Sequence, residues 1–224
     1  MRVLIITASP RAASQSNTEA FAQAFKAGIL RTGSDCIMCR LANKVQWDQA
    51  LEYWSDAEHI LFVVPVYFEN APEIMIRFLE TVYSQVSKSQ TLQKRKNLSF
   101  IVHSGFPERR HRDCAVCYLT RIPEQLGCEF GGIACIGDTL RIGFQEQLWE
   151  DVLSKISALG KKYAEHGGTF FFPGADALSG PATVTEAEGK TYCRWVNRFS
   201  RHVSQAQRCK EPLGYQPFSP KQNP

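Results

Sequence analysis

A loop without glycine or lysine follows the first apolar segment of the chain, RVLII at residues 2–6. The loop, residues 8–18, therefore differs from the glycine-rich patterns that bind dinucleotides and triphosphates. Hydroxyl groups donate hydrogen bonds to phosphate oxygens without adding charge, and one arginine balances part of a dianion. This composition favours a terminal monophosphate, which would be held by Ser9, Arg11, Ser14, Ser16, Asn17 and Thr18.

An ordinary helix cap is the alternative interpretation of the same loop. The next segment has an apolar stripe at helical spacing between Phe21 and Ile29. Ser16 or Asn17 would cap that helix, with Glu19 in support. One cap needs one polar residue, so this alternative leaves three hydroxyls and the arginine unexplained.

Two aromatic loops follow later apolar segments in the same way, at residues 65–72 and 103–111. Aromatic side chains can border a flat ring, although packing within the protein is the alternative. Three such strand ends suit one elongated ligand, and flavin mononucleotide (FMN) has a phosphate, a ribityl chain and a flat ring to match. One side of the ring would be bordered by Pro65, Val66, Tyr67, Phe68, Glu69 and Asn70, and the other by Ser104, Gly105, Phe106 and Pro107.

The elements that position these loops alternate between strands and helices. Five strands are predicted from the apolar segments at 2–6, 36–41, 59–66, 98–104 and 131–137. Helical periodicity between them predicts an α/β fold with a doubly wound parallel sheet, in which ligands bind beyond the carboxyl ends of the strands. Pro123 is expected to break one helix, and the helix after the fifth strand is expected to stop at Gly167-Gly168.

The domain organisation is predicted from the same pattern. Residues 1–168 form the sheet domain, and residues 169–224 form an extension with one amphipathic helix and a Pro-rich tail. A single amphipathic helix cannot bury its own apolar stripe. We therefore expect a homodimer, or docking on the first domain, through Tyr192, Trp195, Val196, Phe199 and Val203.

Composition limits the partners of the chain. The 224 residues carry a mild net charge of +4, and 44% of them are hydrophobic, as in an ordinary globular protein. The longest apolar run, residues 60–68, is shorter than the roughly 20 residues of a membrane span. We expect a cytoplasmic protein that acts on a small molecule and binds neither nucleic acid nor membrane.

Eight cysteines include two C-x-x-C pairs, Cys36/Cys39 and Cys114/Cys117. Four thiolates would suffice for a structural zinc site. The pairs are distant in sequence, however, and residues three apart in a strand point to opposite faces. We therefore predict buried free thiols at Cys36 and Cys39 and no metal site, with a redox role for Cys114/Cys117 as an alternative.

The first two loops together resemble those of the flavodoxin-like NAD(P)H-dependent oxidoreductases, the superfamily of FMN reductases and quinone reductases. Ser9-Pro10-Arg11 and the hydroxyls that follow are similar to its first loop, although Ala8 stands where a glycine is usual. Gly105 to Glu108 is similar to the third flavin loop of one bacterial subgroup. The second loop and its helix are similar at Pro65, Tyr67, Pro72, Phe78, Leu79 and Glu80.

The resemblance covers about residues 1–165 and implies a flavodoxin-like, five-stranded parallel sheet with helices on both faces. It also implies an enzyme in which NADH or NADPH passes hydride to bound FMN, which then reduces a small acceptor such as a quinone. The cofactor supplies the chemistry, so no catalytic residue is assigned. A flavodoxin-type electron carrier and a non-catalytic FMN-binding protein are the alternatives.

His103 and a group of three arginines each have two possible roles. His103 would tune the flavin or serve as a structural histidine. Arg109, Arg110 and Arg112 would receive the 2′-phosphate of NADPH or form a solvated helix face.

Overall fold

Five parallel strands form one sheet in the order β2-β1-β3-β4-β5. The computed structural model describes residues 1–88, 96–143 and 145–206, without the side chains of 195 and 198–206. The strand bounds confirm all five predicted strands to within two residues at each end. They are β1 (Arg2–Thr7), β2 (Asp35–Arg40), β3 (His59–Pro65), β4 (Asn97–His103) and β5 (Glu129–Ile136).

Helices connect the strands and cover both faces of the sheet. Those between β1 and β4 are α1 (Asn17–Leu30), α2 (Lys44–Asp56) and α3 (Glu73–Lys88). The later ones in the chain are α4 (Arg110–Leu119), α5 (Ile122–Gln125), α6 (Thr139–Ile142), α7 (Glu146–Glu165) and α8 (Glu186–Ala206). Within the described parts of the chain, none of the helices has the length and apolar character needed to cross a membrane.

The strands are almost continuously apolar because both faces of the sheet are covered. Leu4 and Ile6 of β1 join one buried cluster with the side chains of α2 and α3. Val3 and Ile5, which point the other way, join a second cluster with α1 and α7. The two clusters fix the sheet between two helical layers, and the loops that follow the carboxyl ends of the strands all lie at one edge.

Close packing of α1 against α7 fixes the helix that begins at the candidate phosphate loop. At Gly28, an added Cβ would overlap the carbonyl oxygen of Ser157. At Gly160, an added Cβ would overlap the carbonyl oxygen of Phe25. The two helix backbones therefore touch at these glycines, and a side chain at either one would push α1 away from its position.

The predicted helix boundaries are confirmed at two positions. Pro123 lies in the first turn of α5, which is separated from α4 by a break at residues 120–121. The helix α7 ends at Glu165, and Gly167 and Gly168 follow with φ angles of 64° and 72°. The left-handed backbone at these glycines ends the helix, because residues with a Cβ avoid that conformation.

The first compact unit is Met1–Ala182 and the second is Thr183–Pro224. Residues beyond 168 return to the sheet edge, where the Phe170 amide donates to Gly131 O at 2.7 Å. In the second unit, α8 confirms the predicted helix, and Thr185 and Glu188 cap its start by reciprocal hydrogen bonds. The predicted Pro-rich tail and the side chains of Trp195, Phe199 and Val203 lie outside the described residues.

The first cysteine pair behaves as predicted for a strand. Cys36 and Cys39 are buried free thiols in β2, and each belongs to a different one of the two apolar clusters. Burial raises the pKa of Cys36 to about 12 and that of Cys39 to about 11. These thiols are protonated at neutral pH and act as small core side chains.

Candidate functional site

The three predicted loops all leave the same edge of the sheet, from the adjacent strands β1, β3 and β4. Backbone hydrogen bonds join neighbouring strand ends where the loops begin. The Ala8 amide donates to Val63 O at 3.0 Å, and the Val66 amide donates to His103 O at 2.8 Å. In a sheet of this order, the crevice beside the carboxyl ends is the expected ligand site.

The phosphate loop, residues 8–18, contains a short 3-10 turn, Ala13–Gln15. The helix α1 follows this turn closely. Ser16 is the N-cap of α1, and its hydroxyl oxygen accepts from the Glu19 amide at 3.4 Å. The cap alternative is therefore confirmed for Ser16. It does not account for Ser9, which is buried and accepts from the Arg11 amide at 3.2 Å, or for Ser14, which is exposed.

Arg11 is exposed, and none of the carboxylates in the described residues lies within ion-pair distance of its guanidinium. The positive charge of Arg11 nevertheless affects a buried group, since it helps to lower the pKa of His103. The α1 N-terminus adds roughly half a positive charge and unpaired amide groups. The loop thus presents positive potential and hydrogen-bond donors, which suit an anion.

A buried hydrogen bond joins the phosphate loop to the end of β4. The Thr18 hydroxyl and His103 Nε2 are 2.8 Å apart, and both residues are buried. Burial lowers the pKa of His103 to about 3, with Arg11 and Arg112 adding to the effect. His103 is therefore neutral at pH 7 and has the partner expected of a structural histidine.

The Glu19 carboxylate, which was expected to support the cap of α1, binds two other residues instead. Glu19 Oε2 accepts from the Thr7 hydroxyl at 3.3 Å and pairs with Arg40 Nε at 3.5 Å. Arg40 ends β2, so the ion pair links the neighbouring strand to the helix N-terminus. The Arg40 charge offsets the negative charge that Glu19 would otherwise place beside an anion.

The second loop is a tight turn, Tyr67–Asn70, closed by two backbone hydrogen bonds of 3.0 Å. Its central residues, Phe68 and Glu69, have φ angles of 49° and 63°. Left-handed backbone costs roughly 1–2 kcal/mol for a residue with a Cβ. The Phe68 side chain is also fully exposed, at 103% of its reference area. A strained turn that presents an exposed aromatic ring is typical of a functional surface.

The third loop is fixed by hydrogen bonds from a buried arginine. Arg112 is only 1% exposed, and its Nη1 donates to Ser104 Oγ at 2.6 Å and to Phe106 O at 3.1 Å. Its Nη2 donates to Pro107 O and to Ser179 O. Burial lowers the pKa of Arg112.

Both sequence interpretations of Arg112 are therefore wrong. The residue neither faces solvent nor is free to receive a phosphate, because it is buried and both of its terminal nitrogens bind carbonyl oxygens or the Ser104 hydroxyl. Arg109 and Arg110 are exposed, and they bind Gly180 O at 2.9 Å and Glu108 Oε1 at 3.1 Å.

The structure also limits what the third loop can offer a ligand. The Ser104 hydroxyl points inward, since it donates to Phe106 O at 3.1 Å and accepts from Arg112. The Phe106 ring packs on His111, with ring centroids 4.6 Å apart. The backbone carbonyls of this loop are also engaged, since Phe106 O accepts from the Asp138 amide at 3.0 Å and Gly105 O accepts from the Leu140 amide at 3.4 Å.

A fourth segment of the site, after β5, was missed by sequence reasoning. The Asn17 side chain donates to Thr139 O at 3.0 Å, and the Thr139 hydroxyl donates to Ser104 O at 3.0 Å. Asp138 precedes it with a left-handed φ of 60°, and its carboxylate pairs with Arg141 Nε at 2.6 Å. The Gly137-Asp138 pair was the available turn signal. This segment connects the first loop to the third.

Residues 1–147 match the profile of a protein family described as having a flavodoxin-like fold. Among solved structures, the chain is similar to an NAD(P)H:quinone oxidoreductase from Methanothermobacter marburgensis (TM-score 0.57, 13% identity, 72% of this chain and 95% of that chain). It is also similar to an NADPH-quinone reductase from P. pentosaceus (TM-score 0.52, 20% identity, 73% and 98%). A third is an FMN-dependent NADH-azoreductase from Bacillus anthracis in complex with FMN (TM-score 0.53, 12% identity, 73% and 100%). Curated proteins gave no significant match.

Proposed function

Since the chain belongs to the family with the flavodoxin-like fold, we propose that it is an FMN-dependent oxidoreductase using NADH or NADPH. Its acceptor would be a small molecule such as a quinone. One observation carries the proposal: an anion loop and two aromatic loops leave adjacent strand ends at a single edge. The names of the similar solved structures, which include quinone reductases and an azoreductase, support the same activity.

The first loop would hold the FMN phosphate. Arg11 would supply the charge, the hydroxyls of Ser9 and Ser14 would supply donors, and the α1 N-terminus would supply amide groups. Ser16 would contribute its hydroxyl proton, since its oxygen already caps the helix. The donor set is cationic or neutral, with Glu19 offset by Arg40, so it fits a phosphate dianion.

The ring of FMN would lie between the second and third loops. Pro65 and Val66 would form its border near β3, together with the exposed Tyr67–Asn70 turn. Gly105, Phe106 and Pro107 would form the opposite border, with backbone positions fixed by Arg112. When bound, FMN supplies the hydride transfer, while the protein binds, orients and shields it from water.

His103 has a supporting role in this proposal. It is buried and neutral, and it joins Thr18 of the first loop to the strand that leads into the third. It would hold the phosphate end and the ring end of the site in a fixed relation. No proton transfer is assigned to it.

Flavin spectra of the purified chain test the function. We expect flavin absorption bands that bleach when NADH or NADPH is added without oxygen and return when a quinone is added. Bands that bleach only with a separate reductase would indicate an electron carrier instead. Bound flavin that no reductant reaches would indicate a binding protein, and failure to bind FMN would contradict the proposal altogether.

We also propose a cytoplasmic homodimer, in which the apolar stripe of α8 contributes to assembly. The helical spacing of Tyr192, Trp195, Val196, Phe199 and Val203 in the sequence supports the role of α8. Val196 itself is buried within the single chain, so it is not part of the surface offered to a second copy. Sedimentation equilibrium of the full chain would show twice the chain mass of 25.3 kDa if the assembly is correct. A single-chain mass at all concentrations would contradict it.

A further inference from the structure

The second cysteine pair lies on the outer face of α4. The buried side of this helix is formed by Arg112, Ala115 and Leu119, which repeat at helical spacing. Cys114 and Cys117 are both exposed free thiols. Because residues three apart share a helix face, the two thiols are neighbours on the surface.

We propose that Cys114 and Cys117 form a two-coordinate site for a soft monovalent ion of the Cu(I) class. The proposal does not depend on FMN or on the proposed oxidoreductase activity. It departs from the sequence-based prediction of no metal site, in which zinc was the metal weighed.

The geometry favours a metal bridge over a disulfide. Cβ atoms of residues three apart on a helix are about 5–6 Å apart, whereas a disulfide needs Cβ atoms about 3.5–4.5 Å apart. A metal–thiolate bond is about 2.3 Å long in zinc sites, and two bonds of about this length let the sulfur atoms lie up to about 4.6 Å apart. The general spacing of a helix therefore suits a metal bridge between Cys114 and Cys117 better than a disulfide.

The donor count selects the class of ion. Across the described segments 1–88, 96–143 and 145–206, His, Cys, Asp and Glu side chains form no cluster of three or more that could hold a metal. Structural zinc takes four ligands, so a pair of thiols does not complete its shell. Soft thiolates select Cu(I), and two of them satisfy a linear Cu(I) centre.

Charged side chains near the two thiols affect how readily they hold an anionic complex. Helical spacing places Arg110 four residues before Cys114, and Arg121 follows the end of α4; both arginines are exposed. Glu69 lies on the other side, where its Oε2 accepts from Cys114 Sγ at 3.9 Å, and Glu108 pairs with Arg110. The Arg121 charge suits an anionic bis-thiolate centre.

Binding follows a balanced exchange without electron transfer. Each thiol releases its proton to solvent, two sulfur–copper bonds form, and copper stays in the +1 state. The resulting centre carries one negative charge. Proton release also makes the affinity rise with pH.

The test is a competition for Cu(I) under anaerobic conditions between the full chain and a coloured Cu(I) chelator. The wild-type chain is expected to withdraw one Cu(I) per chain. Cys114→Ser and Cys117→Ser should each weaken binding at least about 100-fold, because the second thiolate acts at high effective concentration. The Cys193→Ser variant, which changes a thiol of the second unit, should bind as the wild type does.

A variant with a different spacing tests whether binding needs the arrangement of the two thiols or only their number. Cys117→Ser combined with Val116→Cys keeps two thiols, but it places the second one on the opposite side of α4 from Cys114. It should bind as weakly as the single variants, with an unchanged circular dichroism spectrum. Equal binding by this variant or by either serine variant would overturn the proposal, as would a wild-type chain that withdraws no Cu(I).

Discussion

Two loops at the same sheet edge are built in opposite ways. In the phosphate loop, Ser9, Ser16 and Thr18 are buried, and each makes a hydrogen bond inside the protein. In the Tyr67–Asn70 turn, both central residues have left-handed backbone and are exposed. The first loop is thus fixed by its own side chains, whereas the second holds strain at an exposed tip.

The difference suits the two ends of the proposed ligand. A phosphate needs donors that are already in place, because ordering them on binding would cost affinity. A ring that exchanges substrates needs an accessible border, and strained exposed backbone is common at such sites. Substitutions in the two loops should therefore change stability in opposite directions.

The largest expected effect is the pH dependence of the free energy of unfolding that arises from His103, the buried partner of Thr18 in the phosphate loop. Its pKa of about 3 in the folded protein lies below the ordinary value of 6.5, so the unfolded chain gains a proton first as the pH falls. The contribution of neutral His103 to stability is complete above about pH 6.5 and is lost toward pH 3. The slope attributable to this one group is at most about 1.4 kcal/mol per pH unit.

Urea unfolding of wild type and His103→Gln from pH 7 to pH 4 checks this expectation. The variant should be less stable at pH 7, but its free energy of unfolding should fall less steeply with acid. Parallel curves would mean that His103 does not titrate with folding. Only the slope decides, so a general loss of stability in the variant does not obscure the result.

The next effect comes from the partner of that histidine. Thr18→Val keeps the shape of the side chain but leaves His103 Nε2 buried without its partner, and this costs about 1–3 kcal/mol of unfolding free energy. Ser14→Ala, in the exposed part of the same loop, should change it by less than about 0.5 kcal/mol. Equal effects in denaturant melts would remove the distinction between buried and exposed hydroxyls.

A smaller effect of opposite sign is expected in the turn. Phe68→Gly removes the left-handed strain of roughly 1–2 kcal/mol at a chain-entropy cost of roughly 0.5–1 kcal/mol, so the protein should gain up to about 1.5 kcal/mol. Phe68→Ala is the matched control, since it removes the ring but keeps the Cβ. If alanine stabilises as much as glycine, exposure of the ring and not backbone strain explains the change.

The fold was predictable from the sequence because its signals are local. Apolar segments such as residues 59–65 predict buried parallel strands. Pro123 and Gly167 indicate helix ends through their own backbone preferences. The positions of the first three loops follow from the strand ends. The Ser16 cap was also foreseeable, since it lies next to the helix that it begins.

The missed parts of the site depend on distant partners. Arg112 is buried because carbonyl groups of Phe106, Pro107 and Ser179 surround it, and no local pattern separates it from Arg109 and Arg110. Thr139 joins the site because β5 lies beside β4, which only the strand order reveals. Side chains that are defined by tertiary contacts are the ones that a sequence pattern does not identify.

The most direct test of the central claim compares FMN with riboflavin, which lacks the phosphate, in fluorescence titrations of wild type and Arg11→Ala. Charge-assisted hydrogen bonds contribute about 1.5–3 kcal/mol, so Arg11→Ala should weaken FMN binding roughly 10- to 100-fold. Riboflavin affinity and the free energy of unfolding should stay nearly unchanged, because Arg11 is exposed and unpaired with any described carboxylate. Equal FMN affinity in wild type and Arg11→Ala would contradict the assignment of residues 8–18 as the phosphate site.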